Sequence, residues 1–488
     1  MKKYIFLFTL SLLAFSFTGC KDFFDVNERT DTVAENKQEI RLLLPSVEYH
    51  IATLEYGEAY SAGQIQQHIA SYFTQGVDQH YETSMSSVWT NYYASILYPL
   101  NRMDELADAK NAVHYKGLIA ILRALSLGMT TDIYGDMPYS DAGLGSANYQ
   151  PTPESQQALY AKIQSLLDSG IAKIDAQDDS GLENVPGDVF YHGDLAKWKR
   201  LAYTLKARYA MHLTKRNGAQ AAQDALTYLA NGFTSNDDDL QIFFNEKNKN
   251  PWHTAVVLSA NTGNLSVLFS EQIVNYMNAT VYPTAMIDPR LPDYVDNGGA
   301  ATYDGAVNGA EGNDANGNGA NTSFNGNGYY FQEDSPLVLV TYAEAKFLKA
   351  EAAFLANGGT TTSTGSTQDA YDAYLAGISA NMDKIGVDSV DRDAYLADPV
   401  IAVTPAGLQL QHIMKEKYIA LLLNPEVFID LRRYDFSTDV YLGLAMPVDP
   451  DPDMNGEWPR RAIYPTAEVD SNPNIDQVGF ADRVWWDQ

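Results

Sequence analysis

Aromatic rings beside polar side chains are the residues of this sequence best suited to holding a neutral ligand such as a sugar. A sugar presents C–H patches that pack on flat rings, and hydroxyl groups that need amides or carboxylates. The chain has 32 Tyr, 19 Phe and 6 Trp. Rings in loops are better candidates for ligand contacts than rings on helix faces. The loop candidates are Trp252 and His253, which follow a proline, and Tyr282 and Tyr330, which lie beside a glycine-rich loop. Each ring could instead anchor its own loop to the scaffold.

The segment 71–87 is a further candidate, because it joins two predicted helices and mixes rings with polar groups. It contains Asp78 and Tyr81. A solvated loop with one or two anchoring rings is the alternative interpretation.

Motifs for catalysis or metal binding are absent from the sequence. There is no His-Glu-x-x-His, no serine elbow and no phosphate loop. With 62 acidic residues, counting alone leaves open a helical glycoside hydrolase, which would use a pair of carboxylates. The stretches that start at Asp451 and Asp314 copy half of a calcium loop. The twelfth position, where such a loop needs Glu, holds Ala462 and Asn325 respectively. We therefore predict no metal and no cofactor.

The charge of the chain excludes one class of partner. Residues 1–19 read as an export signal, and the remaining chain has 31 basic residues against 62 acidic ones. A net charge of about −31 repels phosphate backbones, so nucleic acid is not an expected partner.

Cys20 is the single cysteine of the chain and directly follows the predicted signal. Lys2 and Lys3 precede an apolar stretch at 4–18, and small residues stand before the cysteine. This arrangement resembles a bacterial lipoprotein signal, although Phe17 stands where leucine is usual. The resemblance implies lipidation of the Cys20 thiol, with 20–39 as an anchor linker. Two or more acyl chains would hold the protein on a membrane stably.

The elements that must position the candidate rings read as helices. Apolar residues recur every three or four positions over 194–213, after the N-cap Asp194 and before the Asn217-Gly218 stop. Similar patterns predict a helical scaffold over 40–230 and 335–435. Trp198 opens a degraded tetratricopeptide-like motif, so the helices should form stacked pairs. Loop-rich regions at 231–334 and 436–488 should lie on this scaffold.

Six blocks of the sequence together resemble the SusD/RagB family. They occur in the family order over nearly the whole chain after the signal: "ILRALSLGMTTDIYGDMPYSDA" (121–142), "GDLAKWKRLAYTLKARYAMHL" (193–213), "DPRLPDYV" (288–295), "YAEAKFLKAEAAFLANGG" (342–359), "KEKYIALLLNPEVFIDLRRYDF" (415–436) and "RRAIYPTAEVDSNPN" (460–474).

This resemblance implies a mainly α fold of tetratricopeptide-like helix pairs in a right-handed superhelical scaffold, with long loop-rich insertions. Residues 40–488 would form the SusD-like domain. The family's segment equivalent to 71–87 lies near the ligand face, which favours Asp78 and Tyr81 as ligand contacts.

The resemblance also implies a role. Family members are non-catalytic lipoproteins on the outer membrane that pair with a SusC-like TonB-dependent β-barrel transporter and capture glycans or, in some members, peptides. We expect the same partners here: the transporter, an oligosaccharide or peptide, and outer-membrane lipid through Cys20. A tetratricopeptide-like adaptor that binds only a protein partner remains an alternative.

Overall fold

Stacked helices form most of the protein, as a computed structural model of the chain describes it over residues 38–488. The predicted signal 1–19, the lipidation site Cys20 and most of the linker 20–39 lie outside the described residues. The helices in chain order are α1 (Ile40–Ile65), α2 (Ser86–Thr90), α3 (Tyr98–Lys110), α4 (Val113–Tyr134), α5 (Gln156–Ile174), α6 (Leu195–His212), α7 (Thr214–Asn217), α8 (Ala219–Leu229), α9 (Ser259–Asn261), α10 (Glu271–Met277), α11 (Leu291–Tyr294), α12 (Tyr342–Ala356), α13 (Gln368–Ile385), α14 (Ser389–Leu396), α15 (Thr404–Gly407), α16 (Leu410–Ala420), α17 (Glu426–Arg433) and α18 (Thr466–Ser471).

Successive helices pack as neighbours and confirm the predicted scaffold of tetratricopeptide-like pairs. Helix α4 packs on α5, α6 on α8, and α12 on α13, while α5–α6, α8–α12 and α12–α16 contacts join the pairs. Asp194 caps α6 as its sequence predicts, since its carboxylate accepts hydrogen bonds from Ala196 N and Lys197 N. Trp198 and Trp89 are buried in the core.

Helix α4 is long and apolar enough to cross a membrane by composition, but 94% of its apolar window is buried inside the fold. It contacts α1, α3, α5 and α6. Its hydrophobicity is therefore explained by its place in the core.

The short strands lie mainly in the loop-rich regions and pair across long sequence distances. They are β1 (Ile69–Ser71), β2 (Leu240–Ile242), β3 (Val267–Phe269), β4 (Val295–Asp296), β5 (Ser323–Phe324) and β6 (Leu337–Val340). The pairs β1–β3, β2–β6 and β4–β5 are all antiparallel. The β1–β3 and β2–β6 ladders join the region 231–334 to the segments next to α1 and α12, while β4–β5 lies within that region.

A buried network of ion pairs, which we call the charged core, crosses the helical stack. Arg208 of α6 donates two hydrogen bonds of 2.6 Å to Glu344 of α12. Glu426 of α17 lies 3.4 Å from Arg208 Nη1 and 2.8 Å from His212 Nε2, and His212 Nδ1 lies 3.2 Å from Asp132 Oδ2. Buried charged side chains thereby join four helices, α4, α6, α12 and α17.

Three local predictions need correction. Pro99 inside a run of apolar residues predicts a kink or a break. The structure shows no break, because helical structure continues from Ser86 to Lys110, with the π-helical stretch Asn91–Leu97 just before Pro99. Thr404-Pro405, a cap residue followed by proline, predicts the start of a long helix. These residues form only the single turn α15, and α16 begins at Leu410 behind a capping box of Gln409 and His412.

Trp252 was expected in a loop and instead lies in the first turn of a helical segment. Asn250 Oδ1 accepts hydrogen bonds from Trp252 N (2.7 Å) and His253 N (3.2 Å), and Pro251 follows the cap. An asparagine cap with proline at the first helical position is a helix-start signal that the sequence contains.

Candidate functional site

A surface cleft lined by tyrosines is the strongest candidate for a binding site. Its rings are Tyr93, Tyr98 and Tyr149, with Asn148 and Glu468 as polar groups; we call it the tyrosine cleft. Its volume is about 410 Å³, and its exposed surface is mostly apolar. Tyr98 is 52% exposed and Tyr149 is 77% exposed, so both rings are open to solvent.

A π-helical stretch places two of these rings on one side. Residues Asn91–Leu97 form a π-helix between α2 and α3. In an α-helix of 3.6 residues per turn, Tyr93 and Tyr98 would point about 140° apart. In a π-helix the hydrogen bond joins residues five apart, so such residues are neighbours. Both rings therefore reach the same cleft.

The third ring comes from the loop 138–151, which several hydrogen bonds hold in place. Tyr93 Oη donates to Pro138 O at 2.8 Å. Asn472 Nδ2 donates to Pro151 O at 2.9 Å, and Gln150 Nε2 donates to Ser471 O at 3.0 Å. Tyr149 is thus presented by a loop that is fixed at both ends, which lowers the entropy cost of binding.

Glycine is required where this loop approaches α3. Gly143 has φ +68°, and a Cβ there would lie 2.9 Å from Asn101 Nδ2. Asn101 Nδ2 donates to Gly143 O at 3.1 Å. The loop can lie this close to the helix because residue 143 has no side chain.

Glu468 supplies a carboxylate at the edge of the cleft. Asn472 Nδ2 donates to its Oε1 at 3.1 Å, and Trp89 Nε1 donates to its Oε2 at 3.4 Å. Each oxygen still has a free lone pair, because a carboxylate oxygen can accept two hydrogen bonds. The half-buried carboxylate can therefore accept from a ligand hydroxyl.

Asp78 and Tyr81 lie at a different place. Asp78 is buried, and its Oδ2 accepts hydrogen bonds from Ser71 N (2.9 Å) at the end of β1 and from Gly309 N (3.1 Å). Burial raises the pKa of Asp78, and these backbone donors partly offset the rise. Tyr81 is half-buried and lines an acidic cleft of about 580 Å³ with Glu82, Asp451, Asp453, Glu457 and Asp482.

Trp252 and His253 contact the scaffold. Trp252 is 5% exposed, with its ring centroid 4.9 Å from Tyr56 and 6.1 Å from Tyr60 of α1. His253 Nδ1 donates to Phe331 O at 2.8 Å. Trp252 therefore packs in an aromatic cluster and offers little open surface.

Tyr282 and Tyr330 also lie apart from one another. Tyr282 is buried, and Lys415 Nζ lies 5.1 Å from its ring. Tyr330 is half-buried beside Tyr294 and Tyr329. Within residues 38–488, none of the rings proposed from the sequence lines the tyrosine cleft. The rings that do line it, Tyr93, Tyr98 and Tyr149, are not among the candidates from the sequence, and the tyrosines at 92, 93 and 98 are the signal that could have found them.

The half calcium loops form turns. Asp314 Oδ1 accepts from Asn316 N and Asn318 N, and Asp451 Oδ1 accepts from Asp453 N. No group of three or more metal-ligating side chains suited to an ion occurs in the part of the chain that the structure describes.

The fold and the cleft define a helical-repeat protein with a surface site of ring faces and a few polar groups. A family-wide sequence model described as "Starch-binding associating with outer membrane" matches residues 31–465. The chain belongs to this SusD-like family.

Solved structures agree in fold. The chain is similar to a SusD/RagB family protein from Bacteroides thetaiotaomicron, with 22% identity, a TM-score of 0.70, and coverage of 93% of this chain and 99% of that one. It is similar to a chitin-binding SusD homologue from Flavobacterium johnsoniae, with 21% identity, a TM-score of 0.69, and coverage of 92% and 99%. A further chitin-binding protein has 24% identity, a TM-score of 0.70, and coverage of 91% and 99%. No curated protein sequence matches the chain.

Proposed function

We propose that the protein is a non-catalytic binding protein of the cell surface that captures an oligosaccharide in the tyrosine cleft. The observation that carries the proposal is the pair of exposed rings, Tyr98 and Tyr149, in one cleft with the carboxylate of Glu468. Rings pack on the C–H faces of sugar units, while the carboxylate and Asn148 accept and donate hydrogen bonds. The family description and the two chitin-binding structures support a glycan as the ligand.

The captured glycan would pass to a SusC-like TonB-dependent transporter in the outer membrane. Acylation of Cys20 would anchor the protein there and keep the helical body outside the cell. Hand-over requires modest affinity, in the micromolar to millimolar range, or about −8 to −4 kcal/mol. A few stacked rings and hydrogen bonds supply a free energy of this size.

A hydrolase is less well supported than a binding protein. A glycosidase usually places two carboxylates across the scissile bond. Within residues 38–488, Glu468 is the one carboxylate among the side chains that line the tyrosine cleft.

The test is binding of chito-oligosaccharides, malto-oligosaccharides and peptides to the purified full chain, measured by isothermal titration calorimetry. We expect binding of at least one of the two oligosaccharide classes, and an affinity reduced by roughly tenfold in Tyr98→Ala and in Tyr149→Ala. Phe243→Ala is the matched control, because Phe243 is a 65% exposed ring outside the cleft.

Binding that Tyr98→Ala and Tyr149→Ala leave unchanged would contradict the choice of site. Binding of peptides alone, or release of reducing sugar by the purified chain, would contradict the glycan-capture function. The anchor has its own test: mass spectrometry of the native protein should find the N-terminus at an acylated Cys20, and Cys20→Ser should leave the protein unbound to membranes.

A further inference from the structure

A small surface pocket at the N-terminal end of α5 gathers positive charge in an acidic protein. Its volume is about 280 Å³, and it shares no lining residue with the tyrosine cleft. The charged side chains of its lining are two guanidinium groups and one carboxylate, whereas the whole chain has 62 acidic residues against 33 basic ones. We call it the arginine pocket; its lining includes Asp136, Ser155, Gln157, Arg461, Arg483 and Gln488.

Arg461 is a buried cation without an anionic partner. The residue is 7% exposed. Its Nε donates to Ala462 O at 3.4 Å and its Nη2 donates to Tyr134 O, and the ring of Tyr464 lies 5.1 Å from the guanidinium carbon. Within residues 38–488, no carboxylate pairs with this guanidinium, and Nη1 makes no hydrogen bond. A buried charge without a counter-charge is costly, which points to an anion that the pocket receives.

Gly135 keeps the unused Nη1 of Arg461 open to the pocket. This glycine follows the last residue of α4, lines the pocket and has φ +78°. A Cβ at residue 135 would lie 3.2 Å from Arg461 Nη1, so a side chain there would cover this nitrogen. The positive φ also favours glycine. The free donor of the buried guanidinium therefore reaches the open volume of the pocket.

Helix α5 adds hydrogen-bond donors to the same pocket. The helix has 19 residues, so its N-terminus carries a partial positive charge. Gln157 N lies in the first turn and has no partner in the part of the chain that the structure describes. Ser155 Oγ accepts from Ala158 N at 3.4 Å and keeps its own O–H donor. Free N–H groups at the start of a helix are a common binding site for phosphate and sulfate.

Arg483 brings a second guanidinium to the pocket. It pairs through Nη1 with Asp435 at 2.7 Å and with Asp487 at 3.3 Å. Among the described residues, its Nη2 has no partner. Arg483 can therefore donate a further hydrogen bond without giving up these two ion pairs.

The negative groups of the lining are already engaged by the protein. Asp136 supplies the one carboxylate side chain, and its Oδ1 accepts from Gln156 N at 2.7 Å, at the start of α5. The main-chain oxygen of Gln488 accepts from Arg216 Nη1 at 3.4 Å. The groups that stay available to a ligand are thus mainly donors.

We propose that the arginine pocket binds a tetrahedral oxyanion, phosphate or sulfate, as the free ion or as a monoester. Arg461 Nη1, Gln157 N and Arg483 Nη2 each donate one hydrogen bond to it. The buried guanidinium cannot offer the planar fork that a carboxylate prefers, because Ala462 O and Tyr134 O occupy its Nε and Nη2. At about 30 Å³ per water molecule, the pocket holds about nine waters, which leaves room for an ester group beside the oxyanion. This site acts independently of the tyrosine cleft.

The test is isothermal titration calorimetry of the purified full chain with inorganic phosphate, inorganic sulfate, glycerol 3-phosphate and acetate at constant ionic strength. We expect saturable binding of at least one of the three oxyanions, with millimolar or tighter affinity, and acetate should bind about fivefold more weakly. Gln157→Glu places a negative charge at the pocket and should weaken oxyanion binding by about fivefold or more. Gln157 is exposed, and glutamate suits the first turn of a helix, so this variant should fold.

Asp136→Asn tests the opposite sign. It removes the carboxylate from the lining, so oxyanion binding should tighten by about fivefold. The Oδ1 atom of the new amide can still accept from Gln156 N, which keeps the start of α5 in place.

The matched control is Gln220→Glu. Gln220 is the exposed second residue of α8, as Gln157 is of α5, and it lies outside the arginine pocket. The control should bind like the wild type. Equal weakening in Gln157→Glu and Gln220→Glu would reflect net charge alone and overturn the proposal, as would absence of saturable binding of all three oxyanions.

Two comparisons between the titrants identify the ligand. Acetate that binds as tightly as phosphate would overturn the choice of a tetrahedral oxyanion. Tighter binding of glycerol 3-phosphate than of phosphate would support a monoester as the ligand, and the reverse order would support the free ion. Because the pocket shares no residue with the tyrosine cleft, failure here leaves the oligosaccharide test unaffected.

Discussion

The charged core and the tyrosine cleft use polar and aromatic side chains in opposite ways. In the charged core, Arg208, Glu344 and Glu426 are buried and satisfy one another at distances of 2.6 to 3.4 Å. In the tyrosine cleft, Tyr98 and Tyr149 are exposed and make few contacts. The first arrangement fixes the helices relative to each other. The tyrosine cleft leaves the faces of Tyr98 and Tyr149 free for a ligand, on helices that the charged core holds in place.

Removal of Arg208 should give the largest effect, and only on stability. Arg208→Ala would leave Glu344 buried without its cation and Glu426 with His212 alone, so we expect the free energy of unfolding to fall by about 3–5 kcal/mol. Urea denaturation followed by circular dichroism measures this loss.

The matched control for this substitution is Lys199→Ala. Lys199 pairs with Asp175 at 2.7 Å on the surface, where an ion pair contributes at most about 1 kcal/mol. If Arg208→Ala and Lys199→Ala cost equal free energy, the charged core does not hold the helices together as we argue.

The protonation of His212 should make stability depend on pH. Burial opposes its charge, but the carboxylates of Glu426 and Asp132 outweigh burial and raise the pKa of His212 to about 9, from about 6.5. A raised folded-state pKa adds stability that is complete below pH 6.5 and is lost as pH rises through 9. At 1.36 kcal/mol per unit, the loss is at most about 3 kcal/mol. Urea midpoints at pH 6 and pH 9.5 measure it.

The variant His212→Gln separates this group from the others that titrate. It should lower stability at pH 6 and flatten the decline between pH 6.5 and 9. Burial also raises the pKa of Glu58 well above its usual value, so its contribution to stability falls as pH rises from 4.5 through that raised pKa, and the comparison with His212→Gln separates the two groups. An unchanged alkaline slope in His212→Gln would show that His212 is not charged in the folded protein.

The sequence predicts the elements of the charged core better than it predicts the ion pairs. Helix α6 follows from its apolar period and the Asp194 cap, and the structure agrees within one residue at each end. The pairing of Arg208 with Glu344 joins residues 136 positions apart. Because local periodicity carries no information on such distant partners, the ion pairs could not be derived from the sequence alone.

The tyrosine cleft escaped prediction for a different reason. With 3.6 residues per turn, the apolar pattern from Val88 onward predicts that Tyr93 faces the core. The π-helix at Asn91–Leu97 changes that geometry and brings Tyr93 and Tyr98 together. Trp252 shows the opposite case, because a ring predicted to lie in an open loop is buried. Asn250 caps a helical segment that begins there, and the Trp252 ring packs against Tyr56 of α1.

Substitution of Tyr149 should separate binding from stability. The ring is 77% exposed, so Tyr149→Ala should change the free energy of unfolding by no more than about 0.5 kcal/mol. The same variant should lose roughly tenfold in affinity for the oligosaccharide that the wild type binds. Urea denaturation and calorimetry on one preparation give both numbers. A large loss of stability would mean that Tyr149 supports the fold rather than a ligand.

The smallest expected effect concerns Asn472, which touches the cleft only through other residues. Its Nδ2 donates to Pro151 O and to Glu468 Oε1. In Asn472→Ala, the loop 138–151 loses one tether and Glu468 loses one donor, while all three rings stay. We expect an affinity loss of a few-fold, about 0.5–1 kcal/mol, and a similar small loss of stability.

Asn474→Ala is the control, because Asn474 Nδ2 donates to Gln150 O but makes no contact with Glu468. If both variants weaken binding equally, loop order alone sets the affinity. If Asn472→Ala weakens it more, the orientation of Glu468 contributes as well, and its carboxylate belongs to the binding site.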